Sequence, residues 1–549
     1  MKCVKKMDMR VLAIIVFAIA VLLYGWLSDD SYHAFVMARN LADGKGFVYN
    51  AGYRVNVSTC PLYTLLTTVF YLVINRNMYI AGMVQGVFFS VAAVYILLYR
   101  INKSGKNYLF FLLCLVGCYE FMCFTTSGLE NSLLFFLSGS FLTLFFEQAE
   151  WSRKRLFLLF LVHSLILVTR MDNTLLYIVA IIYVFFFKCN IPYIERFFIA
   201  LTGSSTFIIW ELFSIWYYGL PFPNTMYIKL FTNLSKGEYF AKGIDYLWRS
   251  YICDGFMFFV IFAYIVIALR GKQSKHLCVL SGIIIYHIYI MYIGGDFMLG
   301  RFLTVPYFVS LCGLCDAYTS AGVAFKLDDL IKIKNEKIGL MALICLIGSL
   351  WRVFISPFAM LQLFEKHWDP SVTSVADERS YYSPVTGLFS VVMDNNWSFQ
   401  SAIKTHYGKF VREIDIAVKD NCAGLIVEEW LGGMVKYYFV DNDIDIMLDD
   451  PFGLMDPLLA RLPARNESVW RTGHMIRDIP VGYRESLELG RNVVEDEDLK
   501  QYYDVLLEIT SGNLFSVDRI HTIINFNMGE YEYLKNRYLE RNARKSPQR

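Results

Sequence analysis

Two adjacent aspartates, Asp29 and Asp30, stand where the first apolar run of the chain ends, in LSDDSYHAFVMARN. A carboxylate so placed can take a proton from a hydroxyl, attack as a nucleophile or hold a metal ion. His33 and Arg39 follow in the same stretch. Four more short polar stretches interrupt the apolar runs downstream: SGLE with Glu130, RMDN with Arg170 and Asp172, PNTMYIK with Asn224 and Lys229, and GGDFMLGR with Asp296 and Arg301. Guanidinium groups make planar, charge-assisted contacts to phosphate, and an ammonium acts there as a point charge. Acids and cations together suit group transfer away from a phosphate that leaves as an anion. Trp26, Tyr32 and Tyr49 could stack on sugar faces, although aromatic residues also populate every membrane interface.

Each of these residues also has a purely structural reading. Asp30 before Ser31 fits an N-cap of the helix SYHAFVMARNLA. Arg170 and Arg301 fit interface anchors that snorkel to headgroups. Gly294 and Gly295 fit a helix stop. Taken together they favour a shared cavity, because charged groups drawn toward the bilayer centre cost roughly 2.5–3.5 kcal/mol each.

The elements that must position them are apolar. The chain has 549 residues, 56% of them hydrophobic and 18% charged, against about 25% charged in soluble domains. Apolar runs read as spans fall near 11–27, 79–100, 108–125, 129–147, 156–169, 174–187, 197–217, 252–270, 277–293, 302–319 and 337–355. The segment 61–75 begins at Pro61, is short, and reads as an interfacial helix. With Lys2, Lys5, Lys6 and Arg10 inside, alternation puts the basic loops 100–106, 153–155, 188–196, 270–275 and 326–337 inside as well. Counting 61–75 as a span would invert every loop from residue 100 onward. A signal peptide with Ala18-Ile19-Ala20 as its cleavage site is the alternative for the N-terminus, but the apolar run continues to Leu27 and favours a retained helix. About eleven spans result. The polar stretches, the first external loop 28–78 and the C-terminus then share the outer face.

The 12 cysteines lie mostly within apolar runs. Cys312 and Cys315 form a C-x-x-C inside one of them and read as packing or lipid-facing thiols rather than a redox or metal site. A net charge of +2 gives no argument for nucleic acid. Past residue 355 the apolar runs shorten. EIDIAVKD, GLIVEEW and YYFVDNDIDIML read as strands, and LKQYYDVLLEITSG as a helix ending at Gly512. Residues 356–549 are therefore expected to form a soluble extracytoplasmic α/β domain with its own core, following a membrane domain over 1–355.

The segment DDSYHAFVMARNLADGKGFVYNAGYRVNVSTCPLYTLL, followed in order by SGLENSLLFFL, RMDNTLL, YYGLPFPNTMYIK, GGDFMLGRFL, DDPFGLMDPLLARLP and WRTGHMIRDIPVGYRESL, resembles the GT-C superfamily of membrane glycosyltransferases. Within it, the match is nearest to the terminal arabinofuranosyltransferases of mycobacterial cell-wall assembly and their relatives in other bacteria. The resemblance runs from about Asp29 to Leu487. It implies a polytopic α-helical GT-C fold in the bacterial inner membrane, a polyprenyl-phosphate-linked sugar donor and an extracytoplasmic glycan acceptor.

By position, Asp29 and Asp30 match the family's essential acidic pair. Glu130, Arg170, Asp172, Asn224, Lys229, Asp296 and Arg301 match its other polar motif positions, and Asp456, Arg461, His474 and Arg477 those of its soluble part. The sequence departs from the pattern in RMD, where many relatives read R-P-D or R-P-E, and in NVSTCP; the second departure bears on the sugar transferred more than on the fold. One of Asp29 and Asp30 is expected to contact the acceptor hydroxyl or the anomeric region, and Arg170, Lys229 and Arg301 to recognise the donor phosphate. A divalent cation could sit on the two acids, but no cofactor is demanded. His474 is open between stabilising its own domain and docking on the membrane half or the glycan. Two rival functions stand beside this one: lipid A or protein O-glycosylation, and transport of a lipid-linked sugar. The second usually brings paired halves and helices broken at the midplane, and no duplication is visible here.

Overall fold

The computed structural model describes residues 8–105, 107–230, 232, 234–321, 375–393, 426–427, 433–443, 447–448, 450–465 and 470–545. The described residues are mostly helical, and the expected apolar runs among them become helices with one informative set of breaks. Among the described residues three helices are long and apolar enough to cross a bilayer: Met78–Ile101, Ser274–Tyr292 and Arg301–Ser320. Two bent pairs bring the number to as many as five. The other described runs give shorter helices, among them Met9–Leu23, Asn131–Phe146 and Arg153–Thr169. By length and composition the described residues show at most five of the eleven expected spans, and the run 337–355 lies outside them.

The breaks have identifiable causes. The run 108–125 splits at Cys118 into Tyr108–Gly117 and Tyr119–Cys123. Asp254 supplies the acceptor there, taking the Glu120 amide at 3.0 Å, while its other oxygen caps Gly255–Gly271 through the Met257 amide at 3.1 Å. The same aspartate stands at the corner where Lys236–Cys253 meets Gly255–Gly271 at 104°. Thus the loop expected between 217 and 252 holds an 18-residue amphipathic helix. Pro61–Val73 is a helix of 13 residues, about 20 Å long at 1.5 Å per residue. That is too short to span, in keeping with the interfacial reading. Cys312 and Cys315 are fully buried free thiols, so they pack rather than face lipid.

The C-terminal part departs from expectation at one described stretch. EIDIAVKD lies outside the described residues, while the described residues of GLIVEEW and the end of YYFVDNDIDIML form strands, Ile426–Val427 paired parallel with Met447–Leu448. Most of YYFVDNDIDIML is not strand: Gly433–Asp441 is a helix whose first eight residues are all buried. It packs on Ser31–Ala42 in a core that joins Tyr32, Phe35 and Val36 to Val435, Tyr438 and Phe439. Part of the region past 355 therefore shares a core with the N-terminal part, while Leu458, Leu459, Tyr483, Leu499, Tyr502 and Leu506 belong to a second core that also takes in Leu220. The helix ending at Gly512 is present as Glu497–Ser511, with the Gly512 amide closing onto the Glu508 carbonyl at 3.0 Å.

Candidate active site

Asp30, His33, Glu130, Arg170, Lys229, Asp296, Arg301 and His474 line one open cavity holding about 1010 Å³ of atom-free space. The segment 24–30 places Asp30. It runs non-helical between two neighbours, with Trp26 Nε1 donating to the Cys123 carbonyl at 2.6 Å. The Ser28 amide reaches the Ser127 carbonyl at 2.9 Å, and the Leu388 amide reaches Gly25 at 2.9 Å. Asp30 occupies the N-cap position of Ser31–Ala42, yet its carboxylate makes no capping hydrogen bond. Ser28 supplies acceptors to the Ser31 amide instead. The cap reading of Asp30 is overturned, and its carboxylate faces the cavity.

Asp29 turns the other way. Its Oδ1 accepts the Met434 amide at 2.9 Å, at the start of Gly433–Asp441. A Cβ on Gly433 would come within 2.3 Å of the Asp29 carbonyl oxygen, so only glycine allows this approach. Burial pushes the Asp29 carboxyl up to about 7, against the pull of the Met434 amide. Burial raises Asp30 as well, while His474, Arg301 and Arg471 oppose that rise and Asp296 adds to it.

The opposite wall is cationic. Glu130 bridges two arginines: Arg170 Nη1 donates to its Oε1, and Arg301 Nη2 reaches both of its oxygens at 3.0 and 3.2 Å. Burial alone would raise Glu130, but Arg301 and Arg170 outweigh it and hold the carboxyl down to about 2. Arg170 Nε also donates to Asp172 at 2.9 Å, and Arg301 Nη1 lies 3.5 Å from Asp296. Lys229 differs from both. It faces the cavity from the helix Asn224–Leu230 and makes no ion pair among the described residues. Burial pushes its pKa down, which an anion beside it would reverse. The loop carrying Asp296 and Arg301 depends on glycine. Gly294, Gly295 and Gly300 all have positive φ, where side chains are disfavoured, and a Cβ on Gly295 would lie 2.5 Å from Tyr246.

Several expected site residues do other work. Arg39 pairs with Asp43, Asp441 and Asp443 and clamps Gly433–Asp441 in place. Asp172 holds Arg170 from behind. Asn224 donates to the Asp456 carbonyl at 2.9 Å and anchors the helix that carries Lys229. Asp456 caps the Leu458 and Leu459 amides and accepts from Tyr483 at 2.7 Å. Arg461 and Arg477 donate to backbone carbonyls. Trp26, Tyr32 and Tyr49 are fully buried and do not line the cavity. His474 touches residues on both sides of position 355. Its ring stands edge-on to Phe297 at 4.5 Å and Phe452 at 5.3 Å, and Thr472 donates to the Gly294 carbonyl at 2.9 Å. Burial pushes both His33 and His474 down to about 4, so each is neutral at pH 7.

Two groups were not singled out in the sequence. Glu378, nearly buried, lies 3.9 Å from Arg471. Burial and then Asp30 push its carboxyl well above the usual range. The stretch before it pairs with the glycine loop, Ala376 exchanging backbone hydrogen bonds with Phe297 and Leu299 at 2.8 and 2.9 Å. Arg471 stacks over Phe297 at 4.8 Å and acts on Asp30 from outside the cavity lining. Arg471→Gln removes a charge that favours ionised Asp30. The acid limb in the pH profile of any reaction that uses ionised Asp30 is therefore expected to move to higher pH. An unmoved limb would separate Arg471 from the site.

Among the described residues no three His, Cys, Asp or Glu side chains gather as metal ligands. Asp30 and Asp296 are the cavity carboxylates outside the Glu130 bridge that a cation could use.

No family model and no curated protein matches the chain. Among solved structures it is similar to ArnT from Cupriavidus metallidurans bound to undecaprenyl phosphate, at 11% identity and a TM-score of 0.44, over 82% of this chain and 88% of that one.

Proposed function

We propose that the chain is a membrane glycosyltransferase of the GT-C kind, moving a sugar from a polyprenyl-phosphate donor to an extracytoplasmic cell-envelope glycan. The observation that carries this reading is the convergence of a non-capping carboxylate, Asp30, and three cations, Arg170, Lys229 and Arg301, on one cavity among apolar helices. The ordered motifs from Asp29 to Leu487 support it. On the same reading the cavity opens on the outer face of the inner membrane, and the region past 355 is extracytoplasmic.

In the reaction, the Asp30 carboxylate takes the proton of the acceptor hydroxyl as its oxygen bonds to the anomeric carbon. The bond from that carbon to the phosphate oxygen breaks, and polyprenyl phosphate leaves with the electron pair. Lys229, with no carboxylate partner among the described residues, meets the charge that develops on the phosphate, and Arg170 and Arg301 are held by Glu130 to flank it. Neutral His33 and His474 can donate or accept hydrogen bonds to sugar hydroxyls without repelling the donor.

Lys229→Met tests the phosphate role. The KM for a polyprenyl-phosphate sugar is expected to rise about tenfold or more, in line with the loss of a charge-assisted contact of about 1.5–3 kcal/mol. The acceptor KM should move much less. An unchanged donor KM would remove Lys229 from donor recognition. Release of polyprenyl phosphate by purified protein, given donor and a cell-envelope glycan, tests the function itself. Movement of the donor across a bilayer without its cleavage would favour the transport reading.

A further inference from the structure

The helix Val517–Asn527 belongs to the C-terminal part, yet residues near both of its ends hold the last turn of Ser205–Tyr218. Arg519 is fully buried. Its Nη1 donates to the Trp216 carbonyl at 2.8 Å and its Nη2 to the Tyr217 carbonyl at 2.9 Å. Asn527 Nδ2 donates to the Gly219 carbonyl at 2.8 Å. Eight residues of helix cover about 12 Å, so the helix passes across the end of Ser205–Tyr218 instead of standing away from it. A Cβ on Gly219 would lie 2.3 Å from Ile509, so glycine allows the two parts to meet this closely.

The sides of Val517–Asn527 differ. Arg519, Ile523 and Phe526 are buried against the protein. Asp518, Thr522 and Asn525 form a polar side. Val517, Ile520, Ile524 and the capping Met528 form an apolar stripe, 41 to 72% exposed. At 100° per residue these sets point in three separate directions. The stripe continues an apolar surface of the membrane part. Just before it, the exposed Phe515 meets the Trp216 ring at 5.6 Å. Trp216 stands one turn beyond Leu212 and two beyond Ile209, on the same side of Ser205–Tyr218, and both of those residues are exposed. With Tyr193–Gly203, Ser205–Tyr218 makes a bent span, and an exposed apolar side of a span meets acyl chains. That side runs on through Trp216 and Phe515 to Val517–Asn527. The helix has one acid, Asp518, and its one arginine is buried. It therefore offers a lipid surface apolar contact, not attraction to anionic headgroups.

We infer that the C-terminal part rests on the bilayer through this helix. Val517, Ile520, Ile524 and Met528, with Phe515, enter the leaflet on the cavity side and pack on its acyl chains. The part that brings His474 to the cavity thus has a second attachment, to lipid as well as to protein. The inference rests on the membrane part of the proposed function.

Bimane labels on the full chain in phosphatidylcholine nanodiscs test it. Cys3, Cys253, Cys345 and Cys422 are first changed to serine, Cys253 because it is exposed and the others because they lie outside the described residues. Labels at Leu212→Cys, Ile524→Cys and Asp518→Cys are compared for quenching by a doxyl-labelled lipid and by iodide. The Leu212 and Ile524 labels should lose most of their fluorescence to the lipid quencher and little to iodide, and the Asp518 label the reverse. Adding phosphatidylglycerol should change none of this. An Ile524 label as open to iodide as Asp518, with Leu212 still quenched by lipid, overturns the inference and leaves the membrane reading standing. An Ile524 label shielded from both quenchers would place protein over the stripe, a second copy or another segment of this chain, and also overturn it. Lipid quenching that needs phosphatidylglycerol would overturn the apolar contact. A Leu212 label open to iodide would sink both readings.

Discussion

Asp30→Asn is expected to lower kcat by a factor of about 10²–10⁴, the range a general base contributes, while donor binding changes little. Asp29→Asn is expected to cost less than tenfold. The two residues are neighbours in sequence and have equal standing in the motif, so the difference comes from geometry. Asp29 spends its carboxylate on the Met434 amide, and asparagine keeps an oxygen able to accept that hydrogen bond. Asp30 lines the cavity and caps nothing, so its charge is available to an acceptor hydroxyl. Because Asp30 is raised above the ordinary aspartate value, wild-type kcat/KM should climb with pH through a limb above about 3.9, the value for a free aspartate. That limb should vanish with Asp30→Asn. Single-turnover transfer with purified variants decides the matter. An active Asp30→Asn beside an inactive Asp29→Asn would reverse the assignment.

The site was legible where the chemistry is local. A carboxylate after an apolar run and an arginine before the next are visible as sequence, and their order gave the resemblance. What the residues do depended on partners far along the chain. Arg39 reads as a site cation until Asp441, some four hundred positions later, takes it. Asn224 and Asp456 likewise turn from motif positions into a tether between two halves. Glu378 had no pattern to announce it, because its meaning comes from burial beside Asp30 and Arg471. Element types were lost for the same reason. YYFV is rich in aromatic and β-branched residues and reads as strand. Its burial is continuous rather than alternating, however, because the turn Asp29 caps and the face of Ser31–Ala42 complete a helix there. Cys118 breaks a helix because Asp254, 136 positions on, satisfies the amide that the break exposes. Hydropathy could see the apolar run but not its acceptor.

The largest effect on folding is expected at Glu130. Its side chain is 2% exposed and touches two guanidinium groups. Replacing it with alanine leaves Arg170 and Arg301 facing each other with half of their carboxylate contacts gone. Breaking a buried pair by removing one partner costs about 3–5 kcal/mol, because the remaining charge has lost its compensation. Asp172 and Asp296 still attend the two arginines, which places the cost toward the lower end and keeps the variant measurable. Asp172→Asn should cost clearly less, since Arg170 keeps Glu130. The pH dependence has the same origin. The Glu130 carboxyl is held down to about 2 in the folded chain against 4.5 for a free glutamate. The stability it contributes is complete above pH 4.5 and is lost as pH falls from there toward 2. Thermal unfolding in detergent across that window should show wild type losing ground to Glu130→Ala as the pH drops, the gap being widest at neutral pH. A Glu130→Ala protein as stable as wild type at pH 7 would mean that the two arginines are not held by this carboxylate. The cationic wall on which the proposed phosphate recognition depends would then need another support.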